Sequence, residues 1–176
     1  MKKILAIPGS NSSESINKEL AIYVANQTKN AEVEVINLNE YQLPLYGMDE
    51  EKLRGIPLDA KDLDNKFNDA DAFVISLAEH NGSYSVAFKN AFDWLSRIDN
   101  KVWKEKPMLL LATSPGARGG ATVLETAKLS FPYLGGKIID AYAFPSFYDN
   151  FKEGRIVNAE METHIQKMVS KLQASL

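Results

Sequence analysis

Three short stretches concentrate the residue types that bind small polar molecules. The first, Gly9-Ser10-Asn11-Ser12-Ser13-Glu14-Ser15-Ile16-Asn17, is dense in hydroxyl and amide side chains and runs into a segment of helical period. Unpaired N–H groups at a helix start favour an anion, with the positive end of the helix dipole behind them, and serine hydroxyls add hydrogen bonds. That chemistry describes a phosphate site needing little net positive charge. The same composition also suits an ordinary N-capped loop, so this stretch gains weight only in company. The second, Ala78-Glu79-His80-Asn81-Gly82-Ser83, offers a flexible glycine, an amide and an imidazole, groups able to line a flat polar heterocycle. Read alone, His80 is equally a surface-loop residue. The third, Ser114-Pro115-Gly116-Ala117-Arg118-Gly119-Gly120, has glycines that let backbone approach a ligand closely. Its Arg118 is a candidate for meeting an anionic group, or else is simply solvated.

Three loops act together only if the elements between them bring them to one place. Ile4-Leu5-Ala6-Ile7 reads as a buried strand, and Ile16, Leu20, Tyr23 and Val24 then mark one face of a helix. Val33 and Val35 begin a second strand; residues 39–57 read as irregular, broken by Pro44, Gly47, Gly55 and Pro57, before a modest helix over 58–69. Ala72-Phe73-Val74-Ile75-Ser76-Leu77 is the third strand, and Met108-Leu109-Leu110-Leu111-Ala112 the fourth. Between them Phe88, Ala91, Phe92 and Leu95 form a helical stripe that Trp94 and Ile98 widen, which implies burial on two sides. A helix that Gly135-Gly136 can cap leads to a fifth strand at Ile138 and Ile139. The last helix, with Asn158 as N-cap, buries Met161, Ile165, Met168, Val169 and Leu172 and leaves His164 to solvent. The segment 144–151 has no clear place. Strand and helix alternate, so the expectation is one α/β domain over residues 1–176, with five strands in a doubly wound parallel sheet and five helices. In such a sheet ligands bind beyond the carboxyl ends of the strands, where the strand order reverses, and the three polar loops fall there.

Composition narrows the chemistry. A net charge of −3 provides no field for a nucleic acid backbone, and the absence of cysteine removes disulfides, thiolate nucleophiles and Cys-ligated metals. Any redox chemistry must come from a borrowed cofactor. Missing as well are the G-x-x-x-x-G-K-[ST], G-x-S-x-G, H-E-x-x-H and first-turn G-x-G-x-x-G patterns. Pro8-Gly9-Ser10 stands where a phosphoacceptor receiver needs an acidic pair. The apolar run after Met1-Lys2-Lys3 is too short for a signal peptide, and no stretch is long enough to span a bilayer, so the expectation is a cytoplasmic protein without a membrane partner.

At these loops the chain resembles the NAD(P)H-dependent FMN reductase family, a flavodoxin-like group that includes azo-, quinone- and chromate-reducing relatives. The family's first loop reads G-S-x-R-x-x-S-x-N-R-x-L, matched here by Gly9, Ser10, Ser15, Asn17 and Leu20. Its second reads P-E-Y-N-x-S, then K-N-A-x-D-W-x-S-R on a helix; this chain has Glu79, Asn81 and Ser83, then Lys89-Asn90-Ala91-Phe92-Asp93-Trp94-Leu95-Ser96-Arg97. Ser114-Pro115-Gly116 with Gly119-Gly120 matches the third, and Leu43-Pro44-Leu45-Tyr46 matches the L-P-L segment after strand two. The resemblance runs from about Ile4 to Asp140 and implies sheet order 2-1-3-4-5 with helices on both faces.

It further implies an FMN cofactor, with its phosphate on Ser10, Ser15, Ile16 and Asn17 and with Ser12 beside them in the cofactor site. The isoalloxazine would lie between Glu79, His80, Asn81, Gly82 and Ser83 on one side and Ser114, Pro115, Gly116, Arg118, Gly119 and Gly120 on the other. NADPH or NADH would be the co-substrate, a quinone, azo compound, metal oxyanion or flavin the acceptor, and the cycle ping-pong with no catalytic side chain. The helix bearing Lys89, Asp93 and Arg97 is either an exposed salt-bridge ladder or part of a homodimer or homotetramer interface. Ser12 replaces a family arginine and removes a bidentate phosphate partner, which lowers the expected FMN affinity; Lys18 replaces a second arginine, Ala78 a proline and His80 a tyrosine. A flavodoxin-type electron carrier and a non-redox binding module for another phosphorylated ligand remain the alternatives.

Overall fold

The computed structural model describes residues 1–176. Strand β1 (Lys2–Gly9) is followed by helix α1 (Ile16–Ala25), β2 (Ala31–Val35), α2 (Met48–Arg54), α3 (Leu58–Asp69) and β3 (Ala72–Leu77). A small hairpin of β4 (Glu79–His80) and β5 (Ser83–Tyr84) leads into α4 (Val86–Ile98), β6 (Lys106–Thr113), α5 (Ala121–Ser130) and β7 (Gly136–Phe144). The chain ends with α6 (Phe147–Asn150), a second hairpin of β8 (Phe151–Lys152) and β9 (Arg155–Ile156), and α7 (Ala159–Ser175). The main sheet has five strands, all parallel, in the order β2-β1-β3-β6-β7, which is the expected 2-1-3-4-5 arrangement.

Strand alternation builds a core on each face. Leu5, Ile7, Phe73, Ile75, Met108 and Leu110 point to one side and meet Leu63 and Phe67 of α3, Phe88 and Phe92 of α4, and Leu124 of α5. Ile4, Ala6, Val74, Leu109 and Leu111 point to the other and meet Leu20 and Val24 of α1 and Ile165, Met168 and Leu172 of α7. A period of two along strands buried on both sides produces the near-continuous apolar runs seen in the sequence.

The sequence reading is corrected in four places. Residues 39–57 are not wholly irregular: a 3-10 turn at Leu38–Glu40 precedes α2, whose side chains are all at least partly exposed and so carry no apolar periodicity to read. Residues 79–84 form a hairpin. The segment 144–151 ends β7 and forms α6, with Phe144, Phe147 and Phe151 buried against α7's side of the sheet. There are thus seven α-helices rather than five.

On α4 the expected second buried side is present, and the correction concerns the charged ladder. Trp94 is fully buried within its own chain: its Nε1–H donates to Pro44 O at 2.7 Å and its ring meets Tyr46 edge-on. Asn90 donates to the carbonyls of Leu43 and Pro44 and accepts from Tyr46 N at 2.8 Å. The Asn and Trp of the K-N-A-x-D-W segment therefore clamp the Leu43-Pro44-Leu45-Tyr46 loop, which has no ladder of its own to satisfy its backbone. Nor do Lys89, Asp93 and Arg97 form one ladder, since Lys89 pairs with Asp93 at 2.7 Å while Arg97 reaches Glu51 of α2 at 2.9 Å.

Candidate functional site

Strand order reverses between β1 and β3, and the loops leaving β1, β3 and β6 meet there around an open cleft of about 200 Å³. A Cβ on Gly9 would lie 3.0 Å from Leu77 Cα, so the small residue lets the ends of β1 and β3 come close. Ser85, at the start of α4, donates to Gly9 O at 2.7 Å and fixes the first loop against that helix. Ser10, Ser12, Ser15, Ile16 and Asn17 line the cleft together with Glu79, His80, Ser114 and Pro115.

The first loop is built as a set of donors. Ser10 Oγ accepts from Ser12 N, Ser12 Oγ from Glu14 N, and Ser15 Oγ caps α1 by accepting from Lys18 N at 3.1 Å. Each hydroxyl is used as an acceptor, which leaves its hydrogen to donate into the cleft. The N–H groups of Ile16 and Asn17 lie in the first turn of α1, where the helix supplies no acceptor. Five donors around the positive end of a helix suit a phosphoryl group. The amide of Asn17 is otherwise engaged. It is buried, its Oδ1 accepts from Ser76 Oγ at 2.7 Å and Thr113 N at 3.2 Å, and its Nδ2 donates to Thr113 O. This side chain ties α1 to β3 and β6, so only the residue's backbone N–H faces a ligand.

On the opposite wall, Asn81 (φ 52°) and Gly82 (φ 77°) turn the β4–β5 hairpin in the left-handed conformations that an Asn-Gly pair favours. Glu79 Oε2 accepts from Val123 N at 3.0 Å, which anchors the hairpin to the first turn of α5. His80 is exposed on the cleft, whereas Asn81, Gly82 and Ser83 sit away from its lining.

In the third loop Ser114 and Pro115 line the cleft, while Gly116, Arg118, Gly119 and Gly120 stand outside the lining. The two paired glycines serve the chain's own packing. At Gly119 (φ 57°) an added Cβ would lie 2.6 Å from Phe144 O, and at Gly120 (φ 75°) it would lie 3.0 Å from Ala112 Cβ. Arg118 donates to Thr122 Oγ1 at 2.9 Å on the exposed face of α5.

Glu14 and Ala78, which stand inside two of the candidate loops without having been assigned to the cofactor, also line the cleft, as do Thr113 and Tyr148, which were not singled out from sequence. Tyr148 comes from α6, in the segment that sequence patterning left unplaced. That segment folds over the third loop because Ser146 N donates to Gly116 O and Phe147 N to Ser114 O, with Ser146 itself in a left-handed conformation (φ 46°). The concentration of aromatic residues at 142–151 was the available clue. A larger groove of about 530 Å³ is lined by Tyr142 of β7 and His164 of α7, whose rings pack together at 4.5 Å, but none of the three loops reaches it. No three His, Cys, Asp or Glu side chains converge as a metal site. A donor-rich end for a phosphoryl group, continuing between a hairpin and the 113–115 loop beside an exposed tyrosine, fits a phosphorylated planar heterocycle.

Comparisons with known proteins point the same way. The model of the family described as NADPH-dependent FMN reductase matches residues 2–149. An uncharacterized protein of Mycoplasma pneumoniae is 30% identical over 164 residues, covering 90% of this chain and 93% of that one. A 2-hydroxy-1,4-benzoquinone reductase of Burkholderia sp is 29% identical over 180 residues, covering 98% and 94%. Among solved structures, the flavoenzyme NAD(P)H:(acceptor) oxidoreductase of Paracoccus denitrificans superposes with a TM-score of 0.79 at 22% identity, covering 99% of this chain and 97% of that one.

Proposed function

Because the chain belongs to the NADPH-dependent FMN reductase family, we propose that it passes electrons from NAD(P)H to a quinone-class acceptor by a ping-pong cycle in which both substrates use one open cleft in turn. It is an oxidoreductase with FMN as cofactor and NAD(P)H as co-substrate. Bound FMN supplies the hydride-accepting and electron-donating chemistry, which leaves the protein to bind, orient and expose it.

The observation that carries the proposal is the convergence of the three loops on one cleft at the switch point of the sheet. The hydroxyls of Ser10, Ser12 and Ser15 and the N–H groups of Ile16 and Asn17 would hold the phosphate. Glu79, fixed by Val123 N, holds the hairpin as one wall of the ring slot, and Ser114 and Pro115 form the other. His80 and Tyr148, both exposed at the rim, are placed to contact the acceptor. His80→Tyr is therefore expected to change the ratio of kcat/KM values between quinone and azo acceptors.

The test is anaerobic: protein with excess FMN receives NADPH or NADH, and the visible flavin band is followed. Protein-dependent bleaching, with parallel lines in double-reciprocal plots against a quinone, is the expected result. FMN binding without bleaching would instead make the chain an electron carrier.

The chain is further proposed to form a homodimer or homotetramer. Leu45 and Val86, 75% and 72% exposed, line one shallow cleft beside α4, and Met48 and Leu53 are exposed on neighbouring α2. So many large apolar side chains on one region are characteristic of an interface. Light scattering at micromolar concentration should give at least twice the 19.6 kDa chain mass, and a monomer would end this part of the proposal.

A further inference from the structure

We propose that the groove lined by Tyr142 and the outer face of α7 receives a second copy of this chain, the two α7 helices running antiparallel across a twofold axis between Thr163 and His164. The inference is independent of the flavin reading, since this groove and the cleft share no residue, and it adds a second surface to the patch beside α4.

Strand β7 is an outer strand of the sheet, an edge where another strand could add. Here the edge is blunted. Its register against β6 shifts between Met108 and Leu109, and Asp140 is turned back on its own chain, Oδ1 accepting from Ala141 N at 2.9 Å and Oδ2 from Lys171 Nζ at 2.6 Å. What this side of the molecule offers a partner is therefore the helix. Helix α7 buries Ile165, Met168, Val169 and Leu172, and leaves Glu160, Thr163, His164 and Lys167 exposed along the groove. Met161 and the Tyr142 ring, packed on His164, give the groove its apolar surface. The charged side chains of α7 fall into two kinds. Glu162 accepts from Tyr23 Oη at 2.8 Å and from Gln166 Nε2 at 2.9 Å, and Lys171 is held by Asp140. Glu160 and Lys167 enter no ion pair within the chain, and both line the groove. Seven residues separate them, two turns or about 10.5 Å along one face, which is too far for them to pair with each other. A parallel copy in register would set like charges against like. An antiparallel copy sets the partner's Lys167 against Glu160 and the partner's Glu160 against Lys167, the reciprocity that an isologous contact requires. With the α4 patch as a separate contact, the two surfaces would together build a tetramer.

The test is sedimentation velocity of the full chain in low salt. A contact centred on one helix is small, so its Kd is expected at roughly 1–50 µM and the chain is run at about 100 µM. Wild type should be assembled. Glu160→Lys and Lys167→Glu should each halve its mass, because either change sets like charges against each other at both ends of the contact and weakens it by at least about tenfold. The two changes together should restore the wild-type mass, a rescue that a purely local role for either residue would not produce. Both residues are exposed, so all three variants should melt like wild type. Single swaps that leave the mass unchanged would overturn the inference, and Val86→Asp would then show whether the α4 patch carries the assembly by itself. Masses halved by the single swaps and not recovered in the double would overturn the antiparallel twofold. A wild-type monomer at this concentration would overturn the contact outright.

Discussion

At the residue scale, the cleft separates side chains that meet a ligand from side chains that hold its walls, and the two kinds look alike in sequence. Asn17 shows the difference. Its amide joins Ser76 and Thr113 rather than reaching outward, so Asn17→Ala leaves a buried hydroxyl and a buried N–H without partners. Each such orphan costs about 1–3 kcal/mol, and the variant should lose roughly 2–4 kcal/mol in a urea titration with little change in m. Ser12→Ala, on an exposed side chain, should stay within about 0.5 kcal/mol of wild type. A stable Asn17→Ala would mean that the amide is not a strut. The donors around Ser15 were legible from sequence because capping and phosphate binding are local properties of a helix start. The diversion of Asn17 was not, since its partners lie 59 and 96 residues away.

At the scale of elements, the third loop owes its shape to a contact with β7 that no local rule reveals. Gly119 passes so close to Phe144 O that a methyl group has no room, and its φ of 57° is one that side chains adopt at a cost. Gly119→Ala should destabilise the fold by about 3 kcal/mol. Gly116→Ala is the matched control: its Cβ would meet nothing nearer than Ser114 Oγ at 3.8 Å, and the change should cost less than about 0.5 kcal/mol. Equal effects on thermal unfolding would contradict this division of roles. Helix α2 illustrates a different blindness. It packs no buried residue, so the periodicity that reveals an amphipathic helix is absent, and its place is secured by Arg97 reaching Glu51 and by Tyr46 Oη bonding the same carboxylate.

At the scale of the whole molecule, carboxylates held by ion pairs and backbone N–H groups away from the cleft lining couple stability to pH. The Lys3 backbone N–H holds the Asp71 carboxyl below the usual carboxylate range, and the Lys104 ammonium does the same for Asp99. Glu34 is likewise lowered by Lys3 and then Lys66. For groups depressed in the folded state, the unfolded chain takes up protons first as pH falls. Their stabilisation is therefore complete above the unfolded value of about 4 and is lost as pH drops through the folded values. The thermal midpoint should fall progressively below about pH 4, and Asp99→Asn should flatten that acid limb. An unchanged limb would show that the Asp99–Lys104 pair is screened. Lys104 itself is 7% exposed and also faces Asp64 at 2.6 Å, so this pair sits at the margin of the interior rather than on open surface.

The sequence by itself determined the α/β class with a five-stranded parallel sheet, the ends of α3 and β3, and the three loops where chemistry is concentrated, while the strand order came from the family resemblance. All but that order follow from apolar period, chain punctuation and the handedness of parallel crossovers, all of which act over a few residues or one crossover unit. Tertiary structure alone decided that Trp94 and Asn90 clamp the Leu43-Pro44-Leu45-Tyr46 loop, that Gly119 accommodates β7 and Gly120 the end of β6 instead of a ligand, and that Tyr148 joins the cleft. Each depends on backbone or side-chain atoms brought together from distant parts of the chain, where only close packing and the satisfaction of buried polar groups determine which contact forms.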